Sequence, residues 1–404
     1  MERIPAVVCV HGLGINGLAT VRSLGRRGIP AHVVGIRGSA QIASASRYCA
    51  SFTGVAHEGA LYGALIELAG RLACRAPLYI DNDAMIKLLA PEAAALQRHF
   101  AVVEPLADAE RLTDKAYQLA VAQRAAIAAP RSWFPQTWEA LHDIGRESTR
   151  RLIAKPSPRR PAAVASAPFK VLVAASAAAL AQALRRHGAA PEEVLVQEYI
   201  EGDDAQIHAG LCYRAGDGRC FILSVRKLRQ TEPGAGVMAL GQVCDTPAVR
   251  DMTRRLAEAL DLRGVLCTEF KRDPGDGRFY FIEWNPRPAY FQSLGWKAGF
   301  DLAYLAYCDH LDPPGLPCAP FRQGAAHYWI NLRGDLGHLS MRPRLALRPG
   351  TWGPYLRAKE WAVFARDDLA PWVRSLRQLA AASARRVRRR LALRGSARAA
   401  TPAT

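Results

Sequence analysis

The segment GVLCTEFKRDPGDGRFYFIEWNPR, residues 264–287, has the pattern of two β-strands joined by a tight turn. Aromatic and β-branched residues fill both halves, and the DPGDG sequence between them supplies turn residues. An antiparallel hairpin with this turn brings Glu269 close to a position opposite Glu283. Because side chains alternate along a strand, Asn285 and Arg287 leave the same face as Glu283. The hairpin therefore predicts two carboxylates, an amide and a guanidinium on one face of a sheet.

Two opposed carboxylates on neighbouring strands repel each other. A cation between them removes that repulsion, and Mg²⁺ suits the position because it takes one or two carboxylates and otherwise binds water and phosphate oxygens. Asn285 adds a neutral oxygen ligand from the same face. The alternative is that Glu269 and Glu283 form ordinary ion pairs with Lys271 or Arg287.

The composition indicates a globular protein with several cores. Half of the 404 residues are apolar, which is enough for two or three packed cores. Nine cysteines without a CxxC pair predict neither a disulfide framework nor a zinc ribbon. No apolar run reaches the roughly 20 residues of a membrane helix and no signal-peptide pattern is present, so we expect a cytoplasmic protein. About half of the +18 net charge comes from residues 373–404, which contain nine Arg and no acidic residue.

The N-terminal stretch HGLGINGLATVRSLGRRGIPAHVVG, residues 11–35, predicts a glycine-rich turn, a helix and a second strand. Gly12, Gly14 and Gly17 spell GxGxxG, which is typical either of a dinucleotide site at the helix N-terminus or of close strand–helix packing. The second strand ends without the acidic residue that binds the ribose of NAD, although Arg37 allows an NADP-binding interpretation.

Two lysines follow in short patterns of their own. Thr113 is a candidate N-cap for a helix that ends at Pro130, and it places Lys115 in the first turn. A cation there opposes the helix dipole, so either an anion is shared with the helix end or Lys115 is a solvated surface residue. Lys155 lies on a short strand and is held extended by Pro156.

From about residue 195 onward the pattern is antiparallel β, with strands and hairpins replacing the βα alternation. The sequence therefore predicts an α/β domain followed by an α+β region. In order from Arg111 to about Leu311, the motifs TDK, IAKP, VQEYIEGDD, RKLRQ, GVLCTEFKRD and IEWNPR resemble those of the ATP-grasp superfamily, in particular its predicted carboxylate–amine ligases.

The resemblance implies an ATP-grasp fold with an N-terminal βαβ pre-ATP-grasp domain. The implied regions are a Rossmann-like domain over residues 1–110, a lid subdomain over 111–195, a C-terminal ATP-grasp subdomain over 196–312, and an extension with a basic tail over 313–404. The lid loop PSPRRPAAVASAP departs from the glycine-rich loops of many relatives, so either Arg159, Arg160 or Lys170 contacts phosphate instead, or the loop is disordered.

The same resemblance implies roles for individual residues. The implied ATP-binding residues are Lys115, Lys155, Gln197, Glu198, Tyr199, Ile200 and Asp204. The implied ligands of Mg²⁺, with Mn²⁺ as the alternative ion, are Glu269, Glu283 and Asn285. The implied catalytic residues, which would contact the transferred phosphoryl group or the substrate carboxylate, are Lys227, Arg229 and Arg287.

The implied activity is ATP-dependent ligation of a carboxylate to an amine through an acyl phosphate. Both substrates are then small molecules, with an amino acid expected on at least one side, with no specific nucleic acid partner and with a homodimer as one expected assembly. Two alternatives remain open at this point: an NADP-dependent oxidoreductase, and a non-catalytic ATP-binding protein that docks on acidic lipid or nucleic acid through its basic tail.

Overall fold

The computed structural model describes residues 4–12, 14–38, 41–156, 169–311, 316, 321–324 and 327–381. Arg159 and Arg160 of the lid loop, and the basic tail from residue 382, lie outside the described residues. Within them the chain forms three β-sheets with helices packed on their faces.

The strands are β1 (Ala6–Val10), β2 (Ala31–Ile36), β3 (Cys49–Val55), β4 (Pro77–Ile80), β5 (Ala101–Val102), β6 (Ser132–Trp133), β7 (Leu152–Pro156), β8 (Leu172–Ala174), β9 (Val194–Glu198), β10 (Ile207–Arg214), β11 (Cys220–Gln230), β12 (Met238–Val243), β13 (Gly264–Arg272), β14 (Phe279–Asn285), β15 (Tyr328–Ile330) and β16 (Ala358–Trp361).

The helices are α1 (Ile15–Gly25), α2 (Leu61–Leu72), α3 (Asp83–Leu89), α4 (Ala93–His99), α5 (Ala109–Thr113), α6 (Lys115–Arg124), α7 (Trp138–Glu147), α8 (Ala177–Arg186), α9 (Pro247–Ala259), α10 (Leu302–Leu311), α11 (Leu332–Met341), α12 (Pro343–Ala346), α13 (Gly353–Arg357) and α14 (residues 370–381).

The first sheet is parallel and has the strand order β3-β2-β1-β4-β5. Its central strand β1 is apolar throughout because both of its faces are buried: Val8 packs in a core with Leu18 of α1, whereas Cys9 packs on the other side with Leu65 of α2. The βαβ opening predicted from the sequence is confirmed.

The second sheet has four strands in the order β6-β9-β7-β8, and its strand pairs are antiparallel. Helices α7 and α8 cover one face through a core that includes Leu141, Leu180 and Val196. Because β9 pairs with β6 and β7, this unit continues to Glu198, beyond the bound at 195 expected for the lid subdomain.

The third sheet has seven strands in the order β14-β13-β10-β11-β12-β15-β16. One face packs against α6 and α9 through residues such as Val121, Leu256 and Phe270, while the other face contributes Leu211 and Val225 to the core that contains α1 and α10. Strands β15 and β16 come from the predicted C-terminal extension and complete this sheet.

The C-terminal segment also binds the N-terminal domain. The Asp368 carboxylate, 2% exposed, accepts hydrogen bonds from Arg22 Nε at 2.9 Å, Ser46 Oγ at 2.6 Å and the Arg47 backbone N–H at 2.9 Å. Residues beyond the predicted ATP-grasp region therefore tie the first helix to the third sheet, which fixes the walls of the space between them.

Candidate active site

A cleft of ≈ 1030 Å³ lies between the three sheets. The first sheet lines it with residues that follow β1 and β4, the second with β7 and β9, and the third with the side chains on one face of β11, β13 and β14. Its volume lies at the upper end of the range for small-molecule sites. Most of the chemistry-bearing residues identified in the sequence lie on its walls.

The two predicted carboxylates meet as the hairpin pattern requires. Glu269 on β13 is the register partner of Glu283 on β14, and Asn285 follows on the same strand opposite Cys267. All four line the cleft. A bulge after Glu269 shifts the register of the strands from there to the turn, so the alignment is set locally at these residues.

Each carboxylate is bound by a lysine from a different element. Lys115 Nζ donates to Glu283 Oε2 at 2.7 Å, and Lys227 Nζ donates to Glu269 Oε2 at 2.7 Å. These partners differ from the ion pairs considered in the sequence, which used Lys271 or Arg287. The Lys115 ammonium holds the pKa of Glu283 well below its usual range, against the opposing effect of burial.

Lys115 owes its position to an N-cap that sequence analysis placed one residue too early. Asp114, and not Thr113, accepts hydrogen bonds from the backbone N–H groups of Ala116 and Tyr117, so Lys115 is the first residue of α6. The helix ends at Arg124, well before Pro130. The Asp114 carboxylate offsets the helix dipole at the end where Lys115 opposes it.

Lys155 reaches the same group of charges from β7 of the second sheet. Burial lowers its pKa to about 8, the nearby Glu283 acts to raise it, and Lys115 lowers it further. A lysine with this pKa is only partly protonated in mildly alkaline solution. Its ammonium, with those of Lys115 and Lys227, surrounds the carboxylate of Glu283.

The predicted adenine-binding segment, 197–200, lines the end of the cleft formed by the second sheet. The Gln197 amide donates to Ser132 Oγ of β6 at 2.9 Å, and the Glu198 carboxylate accepts from Ser148 Oγ, at the end of α7, at 2.7 Å. The ring of Tyr199 lies 4.4 Å from the ammonium of Lys271, which belongs to the third sheet.

Arg287 lies on the cleft wall and links it to the first sheet. Its Nε and Nη2 donate to the two oxygens of Asp83, each at 2.7 Å, and its Nη1 donates to the Pro288 carbonyl at 3.1 Å. No role was predicted for Asp83, which ends the segment PLYIDND, residues 77–83, where three polar residues follow β4. The signal was there, since polar residues after a buried parallel strand lie at the edge where ligands bind.

The structure corrects the expected substrate contact of Arg229. Its guanidinium is 7% exposed, donates to both oxygens of Asp335 at 2.6 and 2.7 Å, and also contacts the Thr351 carbonyl. It does not line the cleft, because a bulge in β11 between Lys227 and Arg229 changes the pairing with β12. Arg229 anchors the C-terminal segment.

Asp204, which was expected to contact the nucleotide, is likewise not among the residues that line the cleft. Its buried carboxylate accepts from the backbone N–H and the side-chain amide of Gln230 and from the Gly234 N–H, each at 2.9 Å. It thereby shapes the turn at residues 231–237, which does line the cleft. Gly236 is required there, because a Cβ would lie 2.4 Å from the Glu232 nitrogen.

The GxGxxG turn packs a helix and holds a carboxylate where a dinucleotide would need space. A Cβ at Gly17 would lie 2.2 Å from Val10, so this glycine permits contact between α1 and β1. The buried Asp81 carboxylate accepts from the His11 backbone N–H at 3.1 Å, and Oδ2 lies 3.5 Å from the Cβ position of Gly17. Burial raises the pKa of Asp81 to about 7. A pyrophosphate at the start of α1 would meet this group.

Comparison with known proteins gives matches in structure alone. No family model matches the sequence, and no curated protein matches it. The ADP complex of purK, an N5-carboxyaminoimidazole ribonucleotide synthetase, matches with a TM-score of 0.62 at 15% identity, covering 86% of this chain and 88% of that chain. The biotin carboxylase domain of Hydrogenobacter thermophilus 2-oxoglutarate carboxylase, in complex with MgADP, ADP and bicarbonate, gives 0.60 at 14% identity, covering 81% and 74%.

The chain has the ATP-grasp fold. A third ATP-grasp structure, the N5-carboxyaminoimidazole ribonucleotide synthetase of Thermus thermophilus, matches with a TM-score of 0.59 at 16% identity, covering 80% of this chain and 81% of that chain. The predicted fold class is therefore confirmed, and the cleft lies between the sheets of the ATP-grasp fold. Among the described helices, none is long and apolar enough to cross a membrane.

Proposed function

We propose that this ATP-grasp protein binds ATP with magnesium in the cleft and activates a carboxylate that an amine then attacks. The observation that carries the proposal is the opposed pair Glu269 and Glu283, each bound by a lysine in a cleft of small-molecule size. The fold neighbours support it, since the purK structure contains ADP and the Hydrogenobacter domain contains MgADP.

The donor set on β13 and β14 fits magnesium. Glu269, Glu283 and Asn285 offer carboxylate and amide oxygens, the hard donors that Mg²⁺ or Mn²⁺ takes. The described residues contain no cluster of three or more His, Cys, Asp or Glu that could hold a metal, so the phosphates of the nucleotide would complete the coordination. The bound ion would neutralise phosphate charge.

The lysines supply the remaining positive charge. If Glu269 and Glu283 held the metal, Lys115 and Lys227 would be free to bind phosphate oxygens, and Lys155 would add a third ammonium from the second sheet. The nucleotide would then be held by residues of two sheets, with residues 197–200 available to its base. Positioning and charge neutralisation account for most of the rate enhancement in phosphoryl transfer.

The proposed reaction has two steps. An oxygen of the substrate carboxylate attacks the γ-phosphorus, the bond from that phosphorus to the β–γ bridging oxygen breaks, and ADP leaves. The amine nitrogen then attacks the acyl carbon, the acyl–oxygen bond to phosphate breaks, and the nitrogen loses a proton as the amide forms. Arg287 and Lys227 would stabilise charge on the transferred group.

The wall formed by the first sheet would bind the substrate groups that react in the second step, the attack of the amine. Asn16, Asp81, Asp83 and Lys87 line the cleft there, beyond Arg287. Acidic, basic and amide side chains together suit small polar substrates that carry carboxylate and amino groups, such as amino acids.

The test is the magnesium dependence of ATP binding, measured by calorimetry with Mg²⁺ and with EDTA. In wild type, Mg²⁺ should increase the affinity for ATP. This increase should be at least tenfold smaller in Glu269→Gln, because the amide oxygen is neutral. Glu258→Gln is the matched control, since Glu258 is half-exposed on α9 and pairs with Arg254. An unchanged magnesium effect in Glu269→Gln, or binding of NADPH in place of ATP, would contradict the proposal.

A further inference from the structure

A second pocket lies behind the active-site cleft, on the opposite face of the seven-stranded sheet. It has a volume of ≈ 690 Å³ and lies between β10, β11, β13, helix α9 and the loop 126–128. Its lining includes the four arginines Arg226, Arg255, Arg272 and Arg278 and the rings of His208 and Phe279. No Asp or Glu is among the described residues that line it.

Two of the four arginines carry no ion pair within the described part of the chain. Arg226 Nε donates to the Ala205 carbonyl, and Arg272 Nε donates to the Gly277 carbonyl at 3.1 Å. Both guanidinium groups therefore keep nitrogens that are not bound to a carboxylate. Many arginines of this chain pair with Asp or Glu, so unpaired ones in a shared pocket indicate an external anion.

The other two arginines are only partly compensated. Arg255 Nη2 donates to the Ala126 carbonyl at 3.3 Å, and its buried Nε lacks a hydrogen-bond partner although Asp251 lies 3.5 Å away. Arg278 is exposed, and Asp276 lies next to it in the turn, where it accepts from the Arg278 backbone N–H. These acids lie outside the pocket wall, so the pocket itself is lined by positive charge.

One wall of the pocket is aromatic. The ring of His208 packs edge to face against Phe279 with centroids 5.1 Å apart, and Met252 lies on the same wall. Burial lowers the pKa of His208 to about 4, with further lowering by Arg226 and Arg272, so its imidazole is neutral near pH 7. This part of the lining therefore carries no charge of its own near pH 7.

The chemistry of the pocket fits a compact phosphate-bearing ligand. Guanidinium groups bind phosphate oxygens in pairs and remain charged at any physiological pH. A volume of ≈ 690 Å³ suits a small molecule. We propose that this pocket is a second ligand site, separate from the active-site cleft, that binds a small phosphorylated molecule through Arg226, Arg255, Arg272 and Arg278.

The pocket and the cleft lie on opposite faces of β11 and β13. Arg226 lines the pocket while its neighbour Lys227 lines the cleft, and Arg272 and Lys271 divide in the same way. Because adjacent side chains of a strand point to opposite faces, only the thickness of the sheet separates the two sites. A ligand that draws in Arg226 and Arg272 acts on the strands that carry the cleft lysines, so the site is placed to regulate the active site.

The test uses the full chain and sodium pyrophosphate as the probe, with hydrogen–deuterium exchange to locate binding, because the cleft also attracts phosphate. Wild-type protein should gain protection in peptides covering 126–128, 204–208 and 272–279. The double variant Arg226→Gln/Arg272→Gln should need at least tenfold more pyrophosphate for that protection. Arg254→Gln is the matched control, since Arg254 lies on α9 beside the pocket but pairs with Asp251 and Glu258.

Several results would overturn the assignment. They are protection confined to 197–200 and other cleft peptides in wild type, equal loss in Arg254→Gln, or equal protection by citrate, which would make the site a general anion site. An AMP arm separates nucleotides from other phosphate compounds, and stronger protection by either probe supports the assignment. If circular dichroism shows that the double variant is unfolded, the single variant Arg272→Gln is compared with wild type instead, because the Arg272 side chain is exposed.

Discussion

Lys227 and Arg229 lie two residues apart on β11, in the RKLRQ motif, but they contribute to different parts of the structure. Both are buried and both bind a carboxylate, yet Lys227 lines the cleft with Glu269 whereas Arg229 holds Asp335 of α11 behind it. Residue type and burial do not separate a site residue from a structural one here. The bulge between them does, because it changes the pairing of Arg229 with β12.

The two ion pairs also differ in how fully their carboxylates are satisfied. Asp335 accepts from Arg229 Nε, Arg229 Nη2 and the Tyr355 hydroxyl, all at 2.6 to 2.7 Å, and its side chain is 0% exposed. Glu269 accepts one hydrogen bond from a described side chain, that of Lys227. A carboxylate has about four acceptor positions, so Glu269 keeps capacity for a ligand and Asp335 has little left.

The largest expected effect is on stability, from the ion pair between Arg229 and Asp335. Asp335→Ala leaves the Arg229 guanidinium buried without its partner, which should lower the free energy of unfolding by about 3–5 kcal/mol. Urea unfolding followed by circular dichroism measures this loss. The described hydrogen-bond partners of the Asp335 side chain, Arg229 and Tyr355, do not line the cleft, so folded protein should retain ATP affinity.

The control is the double variant Arg229→Met/Asp335→Ala, which removes both charges. It should recover part of the lost stability, because a buried pair replaced by apolar groups no longer leaves a charge unpaired. A double variant no more stable than Asp335→Ala would show that the pair is not the source of the effect. Lost ATP affinity in folded protein would show that Arg229 belongs to the site after all.

For the second ion pair of the cleft, Lys115 and Glu283, we expect a large loss of activity and a small loss of stability. Glu283→Gln should lower substrate-stimulated phosphate release by about 10²–10³-fold, similar to the loss of one electrostatic stabiliser in other enzymes. Its effect on unfolding should be smaller than that of Asp335→Ala, because Lys115 and Glu283 are 22% and 32% exposed whereas the Asp335 side chain is 0% exposed.

The measurement needs a productive substrate pair, found by screening carboxylate and amine pools with wild-type protein. Glu67→Gln is the matched control, since Glu67 is 71% exposed on α2 and pairs with Arg71. Turnover in Glu283→Gln equal to that of the control would remove this carboxylate from the proposed mechanism.

The sequence predicted those parts of the site that local geometry determines. A tight turn and two-residue alternation were enough to oppose Glu269 and Glu283, and the ordered motifs were enough for the ATP-grasp fold. It did not predict their lysine partners, because Lys115 approaches from a helix far away in sequence.

The residues that were missed or misplaced depend on contacts between distant segments. Asp83 meets Arg287 only once the first and third sheets are packed together, and Arg229 meets Asp335 only because β15, β16 and α11 join the sheet. No pattern within the RKLRQ motif records the bulge that separates its lysine from its second arginine. Element types followed from periodicity, whereas these pairings required the folded chain.

The smallest expected effect, a pH dependence, separates a titrating cleft residue from the permanently charged Arg229. The pKa of Lys155 is about 8, so its ammonium is present below that pH and is lost as pH rises through it. ATP affinity should therefore fall above about pH 8, by up to tenfold per unit, which corresponds to about 1.4 kcal/mol. A bound phosphate favours the ammonium and moves the midpoint upward. Calorimetric titrations between pH 7 and 9.5 measure this dependence.

Lys155→Arg is the control, because a guanidinium stays protonated over the whole range. Its ATP affinity at pH 7 should be within a few-fold of that of wild type, and this affinity should be unchanged at pH 9. The affinity curves of the two proteins should therefore cross or separate as pH rises. A parallel fall in both proteins would assign the titration to another group. A flat wild-type curve would place Lys155 away from the phosphates and leave Lys115 and Lys227 as the lysines that hold them.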